Sequence, residues 1–285
     1  MLPNFLIIGA PRSGTTHLYQ GLRQHPQVFM SDFKEPMYFA CDNERAWPGS
    51  ICEKKAYEEL FQGREQYRAR GEASTLYLYS ELAAQRIFRE IPHARLIAIL
   101  RNPVARAFSQ YTFQRFLNTE PLDTFEAALA AEAERQRALA SPFLFYRQVG
   151  LYGEQISRYL AAFPKSQLLF LLQDDLDTNP HQVFQRLFSF IGVNPDFQPD
   201  LRYRTNASGV PQHRTLFNLI KSTGRAVKRF LPEHMATRLS GQAHQALLAR
   251  PSMRDDTRQQ LLRFFHQDML RTQELTGYDL SHWLS

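Results

Sequence analysis

The sequence predicts an α/β protein: a doubly wound parallel sheet with a P-loop-like strand-loop-helix and a helical C-terminal region. Three observations predict it. Short continuous apolar runs at 4–8, 96–100 and 168–172 have the character of strands buried on both faces. Helical periodicity fills the intervals, and alternating strands and helices favour a parallel sheet with right-handed crossovers. The first run passes through a glycine-bounded loop directly into an amphipathic helix, an arrangement that aims backbone N–H groups and a helix dipole at one anion.

Taken in order, Asn4 to Ile8 form the first strand, and Gly14, Thr15 and Thr16 open a helix with Leu18, Tyr19 and Leu22 on its apolar side. Gly9 and Gly14 have the spacing of GxxxxGK[ST], and Thr16 fits its last position, but Thr15 stands where that motif has lysine. Arg12 supplies a forked cation instead, so the loop suits a phosphate ester better than Mg-ATP. Val28 to Met30 are a second short strand leading to FKEPMYF, in which Pro36 biases Glu35, beside Lys34, towards an extended backbone. A carboxylate there could accept a proton from an attacking hydroxyl.

Residues 54–62 read as helix, and RARGEASTLYL as a strand entering a polar turn with Glu72, Ser74 and Thr75. Ser80 to Ile91 are a helix with Leu82, Ile87, Phe88 and Ile91 inward, closed by Pro92. The Leu96–Leu100 strand ends in Arg101, Pro103 fits the first turn of the next helix, and Ser109 lies about two turns along it. Further helices are expected over Thr124–Gln136, Tyr152–Phe163 and from Asn179-Pro180 to Gly192, with a strand over Leu168–Leu172. From Pro195 the pattern is loop and helix only. The expected organisation is one domain over 1–285, with a nucleotide-binding core at 1–194 and an extension at 195–285.

The 285 residues are 44% hydrophobic and 22% charged, an ordinary globular balance able to build a substantial core. The net charge of +6 points to anionic ligands. Between Leu201 and Pro232 there is no Asp or Glu, whereas Arg202, Arg204, Arg214, Lys221, Arg225, Lys228 and Arg229 all fall there. Within it, 216–231 could form a helix lying on an anionic membrane surface, cap the nucleotide site, or be a solvated surface helix. Cys41 and Cys52 are too few for a disulfide framework and are expected as free or buried thiols. Histidines form no ligand cluster, so no metal is expected. No apolar run approaches the ~20 residues of a membrane span and no secretion signal is evident, giving the expectation of a soluble cytoplasmic protein. The aromatic stretch Phe143–Tyr152 reads as core before it reads as a pocket.

The ordered set GAPRSGTT, FKEPMYF and RNPVARAFSQY, along roughly the first 115 residues, resembles the sulfotransferases that use 3′-phosphoadenosine 5′-phosphosulfate (PAPS) and release 3′-phosphoadenosine 5′-phosphate (PAP). The resemblance implies that Arg12, Ser13, Gly14, Thr15 and Thr16 hold the 5′-phosphosulfate, that Arg101 and Ser109 hold the 3′-phosphate, and that Glu35 is the catalytic base with Arg12 stabilising the leaving phosphate. Lys34, Glu72 and Ser74 would lie on the acceptor side, and Asn206 and Gly209 in a loop closing over the nucleotide. The implied acceptor is a hydroxyl of a sugar, lipid or other small alcohol, with no metal and no nucleic acid. Heparan-type members carry a lysine after the glutamate equivalent to Glu72 and a C-terminal disulfide; here Ala73 and a cysteine-free C-terminal half replace them. Two other classes remain: an ATP-dependent P-loop kinase, which should carry the missing lysine, and a non-catalytic polyanion binder, which leaves the ordered motifs unexplained.

Overall fold

In the computed structural model, which describes residues 1–41, 47, 49–202, 210–211, 248–249 and 251–285, the apolar runs become five parallel strands. These are β1 (Phe5–Gly9), β2 (Val28–Met30), β3 (Ala69–Ala73), β4 (Arg95–Leu100) and β5 (Leu168–Leu172), in the order β2-β3-β1-β4-β5. Phe5 is opposite Gly71 of β3 on one side and Arg95 of β4 on the other. The chain thus changes its direction of travel across the sheet beside β1, and the crevice at the carboxyl ends there is where open α/β sheets take ligands.

The helices are α1 (Thr15–Arg23), α2 (Lys54–Glu59), α3 (Ala83–Glu90), α4 (Pro103–Leu117), α5 (Phe125–Ala130), α6 (Glu132–Arg137), α7 (Tyr152–Ala162), α8 (Gln173–Thr178), α9 (Pro180–Ile191) and α10 (Asp255–Thr276). Val210–Pro211 and Leu248–Ala249 form a two-stranded antiparallel pair, β6 and β7, where the sequence suggested only loop and helix. Two-residue strands fall below any periodicity that a sequence can display.

Two compact units are present. The first, Met1–Arg106, Arg147–Thr205 and Gln259–Ser285, contains the five-stranded sheet. On one face Phe5, Ile7, Ile97, Ile99 and Leu171 pack with Leu18 and Leu22 of α1 and Phe184, Leu187 and Phe188 of α9. Strand alternation sends Leu6, Ile8, Leu96, Ala98 and Leu100 to the opposite face, where they are equally buried. Each such aliphatic or aromatic side chain removed from water is worth roughly 1.5–3 kcal/mol, which is why these runs go inside. Gly21 lets α1 approach α9, since a Cβ there would come 2.2 Å from the Phe184 ring. At the start of α7, the Gly153 and Glu154 amides donate to the Asp268 carboxylate of α10 at 3.0 and 3.2 Å.

The second unit, Ala107–Tyr146 and Asn206–Arg258, includes α5 and α6. The expected Thr124–Gln136 helix is broken at Ala131, which ends α5 and begins α6. Thr124 caps α5 by accepting from the Ala127 amide at 3.2 Å. Glu120 is wholly enclosed: Arg135 donates to it at 2.7 and 2.8 Å, and Tyr146 and the Leu122 amide donate at 2.5 and 2.8 Å.

Two further expectations are corrected. α3 buries Ala83, Ala84 and Ile87, whereas Leu82 and Phe88 are exposed. The turn held by the Leu82 amide donating to Ser80 delays the helix start and narrows its inner stripe. Cys41 and Cys52 are joined in a disulfide, with their Cα atoms 5.5 Å apart. The Ile51 amide donates to the Pro36 carbonyl and brings the second cysteine back beside the first, a contact between distant positions that cysteine count could not reveal. Phe145, Tyr146, Val149 and Tyr152 are buried, in keeping with core.

Candidate active site

The loop after β1 is held by its neighbours, starting with the Ala10 amide, which donates to the Ile99 carbonyl of β4. Gly14 stands at the N-cap of α1 with φ 101°, a left-handed conformation that side chains other than glycine adopt at a cost. No acidic side chain occupies the first turn of α1, so its N-terminal amides and positive dipole end are available for a ligand. Arg12, also at positive φ, and Arg101 at the end of β4 are half-buried, and Arg101 Nη1 donates to the Arg12 carbonyl at 3.1 Å. Burial and the neighbouring Arg101 charge lower the Arg12 pKa to about 10, and burial lowers that of Arg101 against the opposing influence of Tyr152, Asp177 and Asp174; as guanidiniums both stay charged at neutral pH and repel each other. An anion between two such cations would relieve that repulsion.

Behind the loop, the Ser13 hydroxyl and the Tyr152 hydroxyl are buried without a satisfactory hydrogen-bond partner among the described residues. Burial holds the Tyr152 phenol above its usual pKa, against the opposing influence of Arg106, Ser13 and Arg101. The sequence marked Tyr152 only as part of an aromatic core stretch and as the start of α7; its place beside Ser13 and Arg101 is a tertiary contact.

Glu35 lies on the other side of the β1 terminus. Its backbone has φ 65°, not the extended conformation expected before Pro36. The reason is that its surroundings over-determine it: the Glu35 amide donates to the Ala73 carbonyl at 3.0 Å, and the Thr75 amide donates to Glu35 Oε2 at 2.7 Å. Lys34 Nζ donates to Oε1 at 2.7 Å, and the Thr75 hydroxyl reaches both oxygens. A quarter of the carboxylate side chain remains exposed (26%), enough for access from solvent. Thr75 also packs against the end of β1, since its carbonyl lies 3.0 Å from where a Cβ on Gly9 would stand.

Glu72 and Ser74, expected on the acceptor side, are wholly enclosed. Ser74 donates to Glu72 Oε2 at 2.9 Å and Tyr57 donates to Oε1 at 3.1 Å. Both are thus held inside a hydrogen-bonded cluster below the turn after β3. Burial pushes the Glu72 carboxyl up to about 8, opposed by hydrogen bonds from Tyr77, Ser74 and Tyr57 and assisted by the Glu35 charge. Tyr57 and Tyr77 were missed by sequence reasoning, which sees them only as aromatic core.

Thr15 is buried and Thr16 half-buried in the first turn of α1. Ser109 lies half-buried on the part of α4 that belongs to the second unit. Asn206, Gly209 and the 216–231 segment lie outside the described residues. Among the described residues, no group of three or more His, Cys, Asp and Glu side chains is placed to hold a metal ion, and no helix is long and apolar enough to cross a membrane.

Residues 2–223 match the sulfotransferase domain family model. The chain is 30% identical over 208 residues to the human bifunctional heparan sulfate N-deacetylase/N-sulfotransferase 2, covering 68% of this chain and 22% of that protein. It is 28% identical over 287 residues to human carbohydrate sulfotransferase 15, covering 80% of this chain and 51% of that protein. It therefore spans from about a fifth to about half of the length of these relatives. Among solved structures, a sulfotransferase from Alicyclobacillus acidocaldarius superposes with a TM-score of 0.79 at 32% identity, covering 100% of both chains. A mouse sulfotransferase complexed with PAP shares the fold with a TM-score of 0.55 at 12% identity, over 99% of this chain and 87% of that one.

Proposed function

The chain belongs to the sulfotransferase domain family, and from that premise we propose that it transfers a sulfuryl group from PAPS to an acceptor hydroxyl, with Glu35 as general base. The observation that carries this reading is the pair of half-buried arginines, Arg12 and Arg101, at the N-terminus of α1, where Arg101 Nη1 donates to the Arg12 backbone carbonyl at 3.1 Å. A doubly anionic nucleotide fits them, and the missing loop lysine disfavours Mg-ATP. We take 1–285 as one sulfotransferase domain. The name of carbohydrate sulfotransferase 15 supports a carbohydrate acceptor, and a carboxylate base at Glu35 suits a hydroxyl on it, with a lipid or other small alcohol also compatible.

PAPS supplies the activated sulfuryl group, and this chain's residues do the rest. The amides of Gly14, Thr15 and Thr16, the two threonine hydroxyls and Ser13 would bind the 5′-phosphosulfate. Arg12 would neutralise charge that builds on the phosphate as its bond to sulfur breaks. Glu35 takes the acceptor's proton as the new S–O bond forms, and Lys34 and Thr75 fix its orientation. Arg101 would bind the 3′-phosphate.

A metal-free thermal-shift titration with PAP, ADP and Mg-ATP tests the nucleotide assignment. PAP at ~100 times its dissociation constant should add about 2.7 kcal/mol to stability. A shift with Mg-ATP alone would replace this reading with a kinase. Glu35→Gln should bind PAP almost normally and lose at least ~10²-fold in turnover; near-normal turnover would remove Glu35 as base. Arg101→Ala should lose the preference for PAP over ADP, and equal weakening of both would misplace Arg101.

A further inference from the structure

Glu35 and Met37 flank Pro36 with φ 65° and 57°. Two non-glycine residues in the left-handed region cost roughly 1 kcal/mol each and hold only where the surroundings dictate them. The run 72–77 does so here. In addition to the Ala73 and Thr75 bonds to Glu35, the Met37 amide donates to Ser74 Oγ at 2.9 Å and the Phe39 amide to the Tyr77 hydroxyl at 3.4 Å.

Ser74 has one hydroxyl proton and must point it somewhere. Because Glu72 Oε2 accepts that proton at 2.9 Å, a Ser74 lone pair is turned to the Met37 amide. Glu72 thus sets the polarity of a chain running from the Met37 amide through Ser74 to its own carboxyl, while Tyr57 holds the other carboxyl oxygen. We propose that Glu72 is a positioning residue for sulfuryl transfer: enclosed and out of reach of the acceptor, it acts through Ser74 to hold the backbone that carries Glu35. This rests on the reading of Glu35 as base.

The groups facing Glu72 from the packed elements are Tyr57 of α2, Ser74 and Tyr77 of the turn after β3, Tyr159 of α7, and Glu35, with no cation among the main charged influences on it. Glu72 therefore does this work as a neutral acid near pH 7, since a second carboxylate here would repel Glu35. A glutamine, which keeps an acceptor oxygen and carries no charge, should substitute for it.

The test compares Glu72→Ala, Glu72→Gln and Ser74→Ala in the full chain, with PAP titration and melting to confirm a folded nucleotide site. Glu72→Ala and Ser74→Ala should each lose roughly tenfold in kcat, the effect of one lost buried hydrogen bond, with the KM for PAPS within about twofold. Hydrogen exchange at the Glu35, Met37 and Phe39 amides should speed up by a similar factor. Glu72→Gln should keep that protection and recover kcat to within about threefold of wild type. Wild-type kcat should show an inflection near pH 8 that Glu72→Gln lacks. The proposal is overturned if protection of residues 35–39 survives in both Glu72→Ala and Ser74→Ala, if PAP affinity falls in proportion to kcat, if glutamine fails to rescue, or if the inflection persists in Glu72→Gln. Glu35→Gln run alongside separates the two readings: full turnover there with an opened 35–39 segment in Glu72→Ala removes the base and leaves the anchor.

Discussion

Glu72 in the first unit and Glu120 in the second are both glutamates sealed from solvent, yet they solve burial in opposite ways. Glu120 is held by hydroxyl and amide donors together with the fork of Arg135, and these overcome the upward push of burial so that its pKa falls below the ordinary value. Glu72 has hydroxyl donors only, from Tyr57 and Ser74, with Tyr77 close by, and burial prevails, raising it to about 8. The comparison teaches that a cation decides whether an enclosed carboxyl is kept as an anion for structure or as a neutral acid. A neutral acid suits the position beside Glu35, where another negative charge would disturb a base.

The strongest way to break the contrast is Arg135→Ala, which leaves the Glu120 anion enclosed without its fork. It should cost about 3–5 kcal/mol in denaturant unfolding, and a loss near zero would show that the pair contributes little.

Next in size is the pH dependence. Between its unfolded value near 4.5 and its folded value near 8, Glu72 holds a proton that the unfolded chain has released, so its contribution to stability falls as pH rises through that window. Glu72→Gln should therefore gain on wild type by roughly 2–4 kcal/mol between pH 5 and 8, as read from paired melting curves. Glu120 has the opposite sign: its contribution is present above the unfolded value of 4.5 and is lost as pH falls through its lower folded value. Glu120→Gln should accordingly flatten the acid side of the stability profile, and an unchanged acid limb would contradict the assignment. Smallest is Tyr57→Phe, which removes one donor from Glu72 and should cost about 1 kcal/mol while raising the Glu72 pKa further.

What was legible in the sequence was what is local. Apolar runs gave β4 and β5 almost to the residue, since a strand buried on both faces has little room for polar side chains. The glycine-bounded loop and Arg101 at a strand end located the two cations before any contact was known. The helix faces were less secure: α3 buries alanines that propensity does not distinguish, and it exposes Phe88, which rests edge-on against Phe163 at 5.3 Å.

By itself, then, the sequence determined the five strands of the parallel sheet in chain order, the glycine-bounded loop after the first of them and the segment carrying Glu35, because each depends on residues near one another in the chain. Tertiary structure alone decided that Glu35 adopts a positive φ, that Cys41 meets Cys52, and that Glu72 turns inward to Tyr57 and Ser74. Each of these depends on hydrogen bonds or contacts between residues brought together by the fold. Those contacts override the local bias of a proline, the count of cysteines or the polarity of a glutamate.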